Sequence, residues 1–351
     1  MYEKYYNLTG PPFQLTPDSR FYFASRAHAR AVAHLTFGLA QGEGFIVVTG
    51  EVGAGKTTLM ERLLSQLDHA TYAVARVNTT QVSGDDLFRL AMAGFGIAAP
   101  DASKSTLLLG FEAMLRASRR SGRRCLLIVD EAQNLSLAAL EELRMLSNLT
   151  GADLADASLA EADAGSHVGL QTILLGQPQF RRTLASPELD QLRQRVLASY
   201  HLGPLTRDET RNYILHRLAT VGWHATPRWH DAAFAAVFDH SAGIPRRINR
   251  LCARVLLYGA LDEAAEISGA MVEAAAEELA QDLQSGGQSG GASPAAPHGL
   301  AGRGPQPDAE RLDDSDGGGG GGGGVADLRR RLDALEARVA RRERLFQRLL
   351  T

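Results

Sequence analysis

Between residues 44 and 203, short apolar runs alternate with stretches whose apolar residues recur every three or four positions. The runs FIVVT (45–49), YAVARVN (72–78), CLLIVD (125–130), LQTILLG (170–176) and VLASYHL (196–202) have the length and β-branched content of strands. Most are continuously apolar rather than alternating, the mark of strands covered on both faces. Between them the spacing turns helical, as with Leu59, Leu63 and Leu67 after the first run. Strand–helix alternation of this kind predicts an α/β fold with a parallel sheet.

The pattern changes at both ends of this region. A Pro- and aromatic-rich segment, PPFQLTPDSRFYF, leads into a predicted helix, RAHARAVAHLTFGLA. From 204 the strand runs stop. TRDE at 206–209 is a capping box, with Thr206 as the cap and Glu209 reaching back. Thr226 followed by Pro227 predicts another helix start. Gly243 closes that helix, and GIPRRINRLC opens the next, with Ile248, Leu251, Val255 and Leu256 on one stripe. SGAMVEAAAEELAQDL (268–283) predicts a fourth helix. The reading is an N-terminal segment (1–43), an α/β core (44–203) and a helical lid (204–283).

Residues 284–324 are rich in Gly, Ser, Pro and Asp and end in eight consecutive glycines, a composition that buries no core and predicts a flexible linker. Helical spacing returns over 325–351 in Val325, Leu328, Leu332, Leu335, Val339, Phe346 and Leu349, broken at Arg342. Eight arginines against four acids make this last helix cationic. It suits a coiled-coil partner helix, an anionic membrane surface, or a solvated helix of marginal stability.

The net charge of −3 argues against a nucleic-acid coat or a polybasic membrane patch over the whole chain. Cys125 and Cys252 stand alone inside apolar runs, which fits neither a zinc site nor a disulfide scaffold and suits a reducing compartment. The start, MYEKYYNLTGPPF, lacks the layout of a signal peptide, and the apolar runs are too short to span a bilayer. The expectation is a cytoplasmic protein, peripheral at the membrane at most.

The chemistry is concentrated at the ends of the predicted strands. GEVGAGKT, Gly50 to Thr57, completes the G-x-x-x-x-G-K-[ST] spacing between a predicted strand and a predicted helix. In that context the backbone N–H groups of Gly50, Glu51, Val52, Gly53, Ala54, Gly55, Lys56, Thr57 and Thr58 turn toward phosphate oxygens. Lys56 reaches the β- and γ-phosphates of ATP, and Thr57 ligates Mg²⁺. CLLIVDEAQN is an apolar strand ending in two acids at the ligand edge of the sheet. Asp130 is expected to hold Mg²⁺ through water, and Glu131 to activate the attacking water. Gln177, at the end of LLGQP, is placed to bond the γ-phosphate or that water. Arg193 and Arg195 in QLRQRV, and Arg246 in GIPRRIN, carry guanidinium charge suited to a phosphoryl transition state.

Taken in order, these motifs resemble an AAA+ ATPase, more narrowly the general secretion pathway A (ExeA-like) group and, within it, the secretion ATPases of exosortase/PEP-CTERM and exopolysaccharide loci. The resembling stretches include YYNLTGPPFQLTPDSRFYF, GLAQGEGFIVVTGEVGAGKTTL, LLIVDEAQNL, LLGQPQF, LRQRVLASYHLGPL and GIPRRINRLC. The resemblance implies a P-loop NTPase sheet with a helical lid, and an N-terminal segment packed near the nucleotide. It places sensor 1 at Gln177, the arginine finger at Arg195 or Arg193, and sensor 2 at Arg246. A finger acting in trans implies a homo-oligomer, and the group implies envelope export or polysaccharide machinery as partners. The group's secretion members continue into a membrane span and a periplasmic peptidoglycan-binding domain, and neither is read here. The stretch 151–169 is longer and more acidic than the group's usual link, either a loop near the assembly's central surface or an inert insertion.

Two other classes stand beside this reading. A DNA-associated ATPase of the transposition or replication type lacks support in any basic, aromatic-interleaved stretch of residues 1–283. An ATP-gated scaffold would make the C-terminal helix the working part.

Overall fold

Strands form where the sequence is continuously apolar, because a strand buried on both faces has no solvent side on which to place polar residues. In the computed structural model, residues 2–16, 18–78, 84–97, 102–148 and 170–286 are described. They lie within one compact unit. The elements in chain order begin with α1 (Tyr2–Tyr5), α2 (Arg26–Gln41), β1 (Gly44–Gly50), α3 (Lys56–Gln66), β2 (Tyr72–Asn78), α4 (Gly84–Gly94) and α5 (Lys104–Arg120). They continue with β3 (Arg124–Asp130), α6 (Leu137–Asn148), β4 (Leu170–Gly176), α7 (Gln179–Leu184), α8 (Asp190–Arg193) and β5 (Val196–Leu202). The remainder are α9 (Arg207–Thr220), β6 (Arg228–Trp229), α10 (Asp231–Ser241), α11 (Pro245–Leu261), β7 (Glu266–Ile267) and α12 (Gly269–Gly286).

The main sheet has the order β2-β3-β4-β1-β5, and every pairing in it is parallel. Side-chain alternation divides its core in two. Phe45, Val47, Leu127, Val129 and Leu174 pack on one face with residues of α4, α5 and α6. Ile46, Val48, Leu126, Ile128, Ile173 and Leu175 pack on the other with α2 and α3. The register sets Thr49 opposite Gly176, Val129 opposite Leu174 and Asn78 opposite Asp130. The C-terminal ends of β1, β3 and β4 therefore lie side by side, where an open α/β sheet holds its ligand.

A third core joins α9 to α12. It takes in Tyr6, Leu8, Phe13 and Phe21 from the N-terminal segment. The Tyr6 hydroxyl donates to the Ala264 carbonyl at 3.1 Å, and Thr9 N–H donates to the Val221 carbonyl at 2.9 Å. These apolar residues of the N-terminal segment thus belong to the lid's core.

Helix α9 opens with the reciprocal capping box of Thr206 and Glu209. Two expectations are corrected here. Thr226–Pro227 does not start a helix: its peptide bond is cis and β6 follows, with α10 beginning at Asp231. Strands also do not stop at 204, because β6 pairs in parallel with β7 inside the helical region. Runs of two residues carry no periodicity from which to read a strand. At the far end, α12 continues through Gly286, so the first residues of the proposed linker are helical. The readings for 151–169, for 287–324 and for 325–351 lie outside the described residues.

Candidate active site

The loop after β1 turns on two glycines with positive φ, Gly53 at +82° and Gly55 at +101°. Gly55 caps α3, whose first residue is Lys56. The helix therefore points its N-terminal N–H groups and partial positive charge into the loop. Val52, Gly53, Gly55, Lys56, Thr57 and Thr58 line a cleft of about 360 Å³. Gly50, Glu51 and Ala54 stand behind it. The Gly50 and Glu51 carbonyls accept from Lys56 Nζ at 2.7 and 3.1 Å, and Ala54 is buried against the sheet. Burial pushes the Lys56 ammonium below its ordinary pKa, opposed by the nearby charges of Glu131, Asp130 and Glu51.

Asp130 ends β3 and Glu131 follows it. Thr57 Oγ1 donates to Asp130 Oδ2 at 3.3 Å, and Glu131 N–H donates to Asp130 Oδ1 at 2.9 Å. Arg76 of β2 approaches the same Oδ2 at 3.4 Å. A hydroxyl beside a carboxylate is the hard oxygen pair that Mg²⁺ shares with nucleotide phosphates and water. The residues present fit that ion.

Glu131 is in the left-handed region, at φ 54° and ψ 40°, a conformation costing a non-glycine residue roughly 1–2 kcal/mol. Its carboxylate lines the cleft. Gln133 Nε2 donates to Glu131 Oε2 at 2.5 Å, and Gln177 Nε2 donates to the same oxygen at 3.2 Å. Burial alone would raise the Glu131 pKa, but these two amides and the charge of Lys56 hold it below the usual carboxylate range. Gln177 N–H donates in turn to Gln133 Oε1 at 2.9 Å.

The lid closes over the loop through the start of α11. Arg246 N–H donates to the Gly53 carbonyl at 3.2 Å, and the Arg246 side chain lines the cleft. A Cβ on Gly53 would stand 2.3 Å from Arg246 Cβ, so only glycine permits this approach. One helical turn further on, Asn249 accepts from the Tyr213 hydroxyl at 2.9 Å. Arg217 of α9 donates to Tyr213 Oη at 2.8 Å and to the Gln14 carbonyl at 3.2 Å, and also to the Pro12 carbonyl. Its guanidinium lies 4.5 Å from the centre of the Phe21 ring. This buried arginine ties the N-terminal strap, whose Gln14, Thr16, Asp18, Phe21 and Tyr22 line one wall of the cleft, to the helices that carry Arg246.

Lys56, Thr57, Asp130, Glu131, Gln177 and Arg246 are thus brought together. Arg193 and Arg195 are not. Arg193 pairs with Asp190 at 2.6 Å, and Arg195 donates to Ser147 Oγ at 3.2 Å. The Arg195 carbonyl accepts from Phe45 N–H at the start of β1. The phosphate loop leaves the other end of that seven-residue strand, about 20 Å away at the strand's rise per residue. Sequence reasoning also missed Gln133, Arg217, Tyr213 and His28. His28 is buried under the loop with its Nδ1 2.8 Å from Ser25 Oγ.

Residues 39–184 match the family model of the AAA domain. The chain is 36% identical over 260 residues to general secretion pathway protein A of Aeromonas hydrophila, which covers 73% of this chain and 44% of that protein. It therefore spans less than half the length of that relative. Its fold is similar to that of the Aeropyrum pernix ORC2 protein solved as ADPNP–ADP complexes, with a TM-score of 0.55, 16% identity and 76% and 71% of the two chains covered. It is similar also to Cdc6p of Pyrobaculum aerophilum, with a TM-score of 0.56, 16% identity and 75% and 71% covered. At such identity these two likenesses bear on fold alone. On motif, fold and relationship together, the chain carries an AAA domain with a P-loop fold and is related to general secretion pathway protein A over 260 residues.

Proposed function

We propose that the cleft hydrolyses ATP to drive or switch an export process at the cell envelope, of the exosortase-associated exopolysaccharide or protein secretion type. The observation that carries the chemistry is the convergence of Lys56, Thr57, Asp130, Glu131, Gln177 and Arg246 around one glycine loop. The export role is supported by the relationship to general secretion pathway protein A.

The loop N–H groups and the start of α3 bind the phosphates of ATP. Thr57 and, through water, Asp130 would hold Mg²⁺, which when bound would neutralise charge developing on the phosphates. Glu131 orients a water and takes its proton as the water oxygen bonds to the γ-phosphorus. The bond from that phosphorus to the bridging oxygen breaks, leaving ADP and inorganic phosphate. Lys56 and Arg246 stabilise the transition-state oxygens from within the chain, and Gln177 fixes Glu131 and the water. Arg195 or Arg193 lies too far to serve its own cleft and is assigned to the cleft of a neighbouring copy, so the working form is a homo-oligomer. Such a guanidinium is worth about 10³–10⁵ in turnover when supplied in trans.

Steady-state turnover and nucleotide binding test this directly. Lys56→Ala is expected to lose productive ATP binding. Glu131→Gln is expected to bind ATP and turn it over at least 100-fold more slowly, in the range usual for loss of a general base (~10²–10⁴). Unchanged turnover in Glu131→Gln would overturn the assignment of the base.

A further inference from the structure

Gln133 lies outside the phosphate loop and outside the acidic pair, yet both ends of its amide are engaged beside Glu131. Its Nε2 donates to Glu131 Oε2 at 2.5 Å, and its Oε1 accepts from Gln177 N–H at 2.9 Å. Gln177 returns a second bond to the same carboxylate oxygen at 3.2 Å. Gln179, at the first position of α7, donates through Nε2 to Gln177 Oε1 at 3.0 Å. The three amides form a continuous chain from the surface at α7 to the carboxylate.

We propose that Gln133 is a positioning residue for Glu131. Together with Gln177 it locks the carboxylate plane, and it makes that lock depend on the spacing between the ends of β3 and β4. The inference rests on Glu131 being the base that activates water. The geometry explains why both amides are needed. Glu131 leaves β3 in a left-handed conformation, so no continuing helix or strand holds its side chain. The 3₁₀ turn Ala132–Asn134 follows at once, with Ala132 fully buried as its anchor. That turn brings Gln133 back beside Glu131 two residues earlier. Two donors on one oxygen leave the carboxylate little rotational freedom, which is the condition for a base to meet water in line with the γ-phosphorus. Because Gln133 Oε1 takes the backbone N–H of Gln177, a shift of β4 or α7 alters the lock without touching the nucleotide. A side chain that merely filled space would have no use for both ends of an amide in this way.

The test separates turnover from binding. Gln133→Leu keeps the volume and removes both bonds. Gln133→Asn keeps an amide but is one methylene too short to bridge Glu131 and Gln177, and serves if the leucine variant does not fold. Either is expected to lower kcat at saturating Mg-ATP by at least tenfold. The Kd of a slowly hydrolysed fluorescent ATP analogue should stay within about twofold. Gln177→Leu should have a like effect, and the double variant should be no worse than the poorer single variant, since the amides act on one oxygen. Wild-type kcat in both Gln133 variants, or a loss of kcat matched by an equal loss of analogue affinity, would overturn the proposal. Glu131→Gln is measured in parallel. If it is inactive while the Gln133 variants turn over normally, only the role of Gln133 fails. If it turns over normally, the reading of the base fails as well.

Discussion

Gly53 is the residue on which loop and lid touch. Its φ of +82° and the 2.3 Å between its missing Cβ and Arg246 Cβ mean that a side chain there forces strain and separation together. Gly53→Ala is expected to weaken nucleotide binding at least tenfold, about 1.4 kcal/mol, in a fluorescence titration. Wild-type affinity would show that the Arg246 contact is not part of the binding form. Residue-level chemistry was legible wherever a motif is local: Gly50 to Thr57 and Asp130–Glu131 declare themselves by spacing and by the strand before them. Gln133 was not legible, because its partner Gln177 is 44 positions away and the pair is made only when β3 and β4 pack side by side. Arg217 likewise reads as one charge in a polar helix, and its burial follows from the strap that folds back over α9.

At the level of elements, the five main strands were legible because continuous burial leaves continuous apolar sequence. The misreading at Thr226–Pro227 has the opposite cause. A threonine before proline suits a helix N-terminus but equally a turn, and what decides is the pairing of Arg228–Trp229 with Glu266–Ile267 across nearly forty residues. Helix α2 makes a separate prediction. His28 sits in its first turn, capped by Ser25, and burial lowers its pKa against the opposing charge of Glu209. A histidine held below its ordinary pKa of about 6.5 contributes its full stabilisation above that value. It loses that stabilisation as pH falls through the lowered folded value, because the unfolded chain takes up the proton first. The drop in Tm between pH 7 and pH 5 should therefore be smaller in His28→Asn than in the unsubstituted protein. Equal drops would mean that His28 carries no part of the acid sensitivity.

At the scale of the whole molecule, the cleft and the paired arginines lie apart. The sheet, loop and lid assemble four cleft-lining groups, Lys56, Thr57, Glu131 and Arg246, with Asp130 and Gln177 behind them, while Arg193 and Arg195 stand at the opposite end of the strands. On the proposed mechanism, such a cleft is completed by an arginine supplied from another copy. Among the described residues no helix is long and apolar enough to cross a membrane. The most direct measurement is complementation between two inactive variants. Glu131→Gln keeps its arginines but lacks the base. Arg195→Ala, or Arg193→Ala if that is the one that abolishes turnover, keeps the base but lacks the finger. Mixed together, they form interfaces in which one copy supplies Glu131 and its neighbour the arginine. The account predicts that ATP turnover returns in the mixture and rises with protein concentration. A mixture as inactive as its parents at every concentration would contradict it.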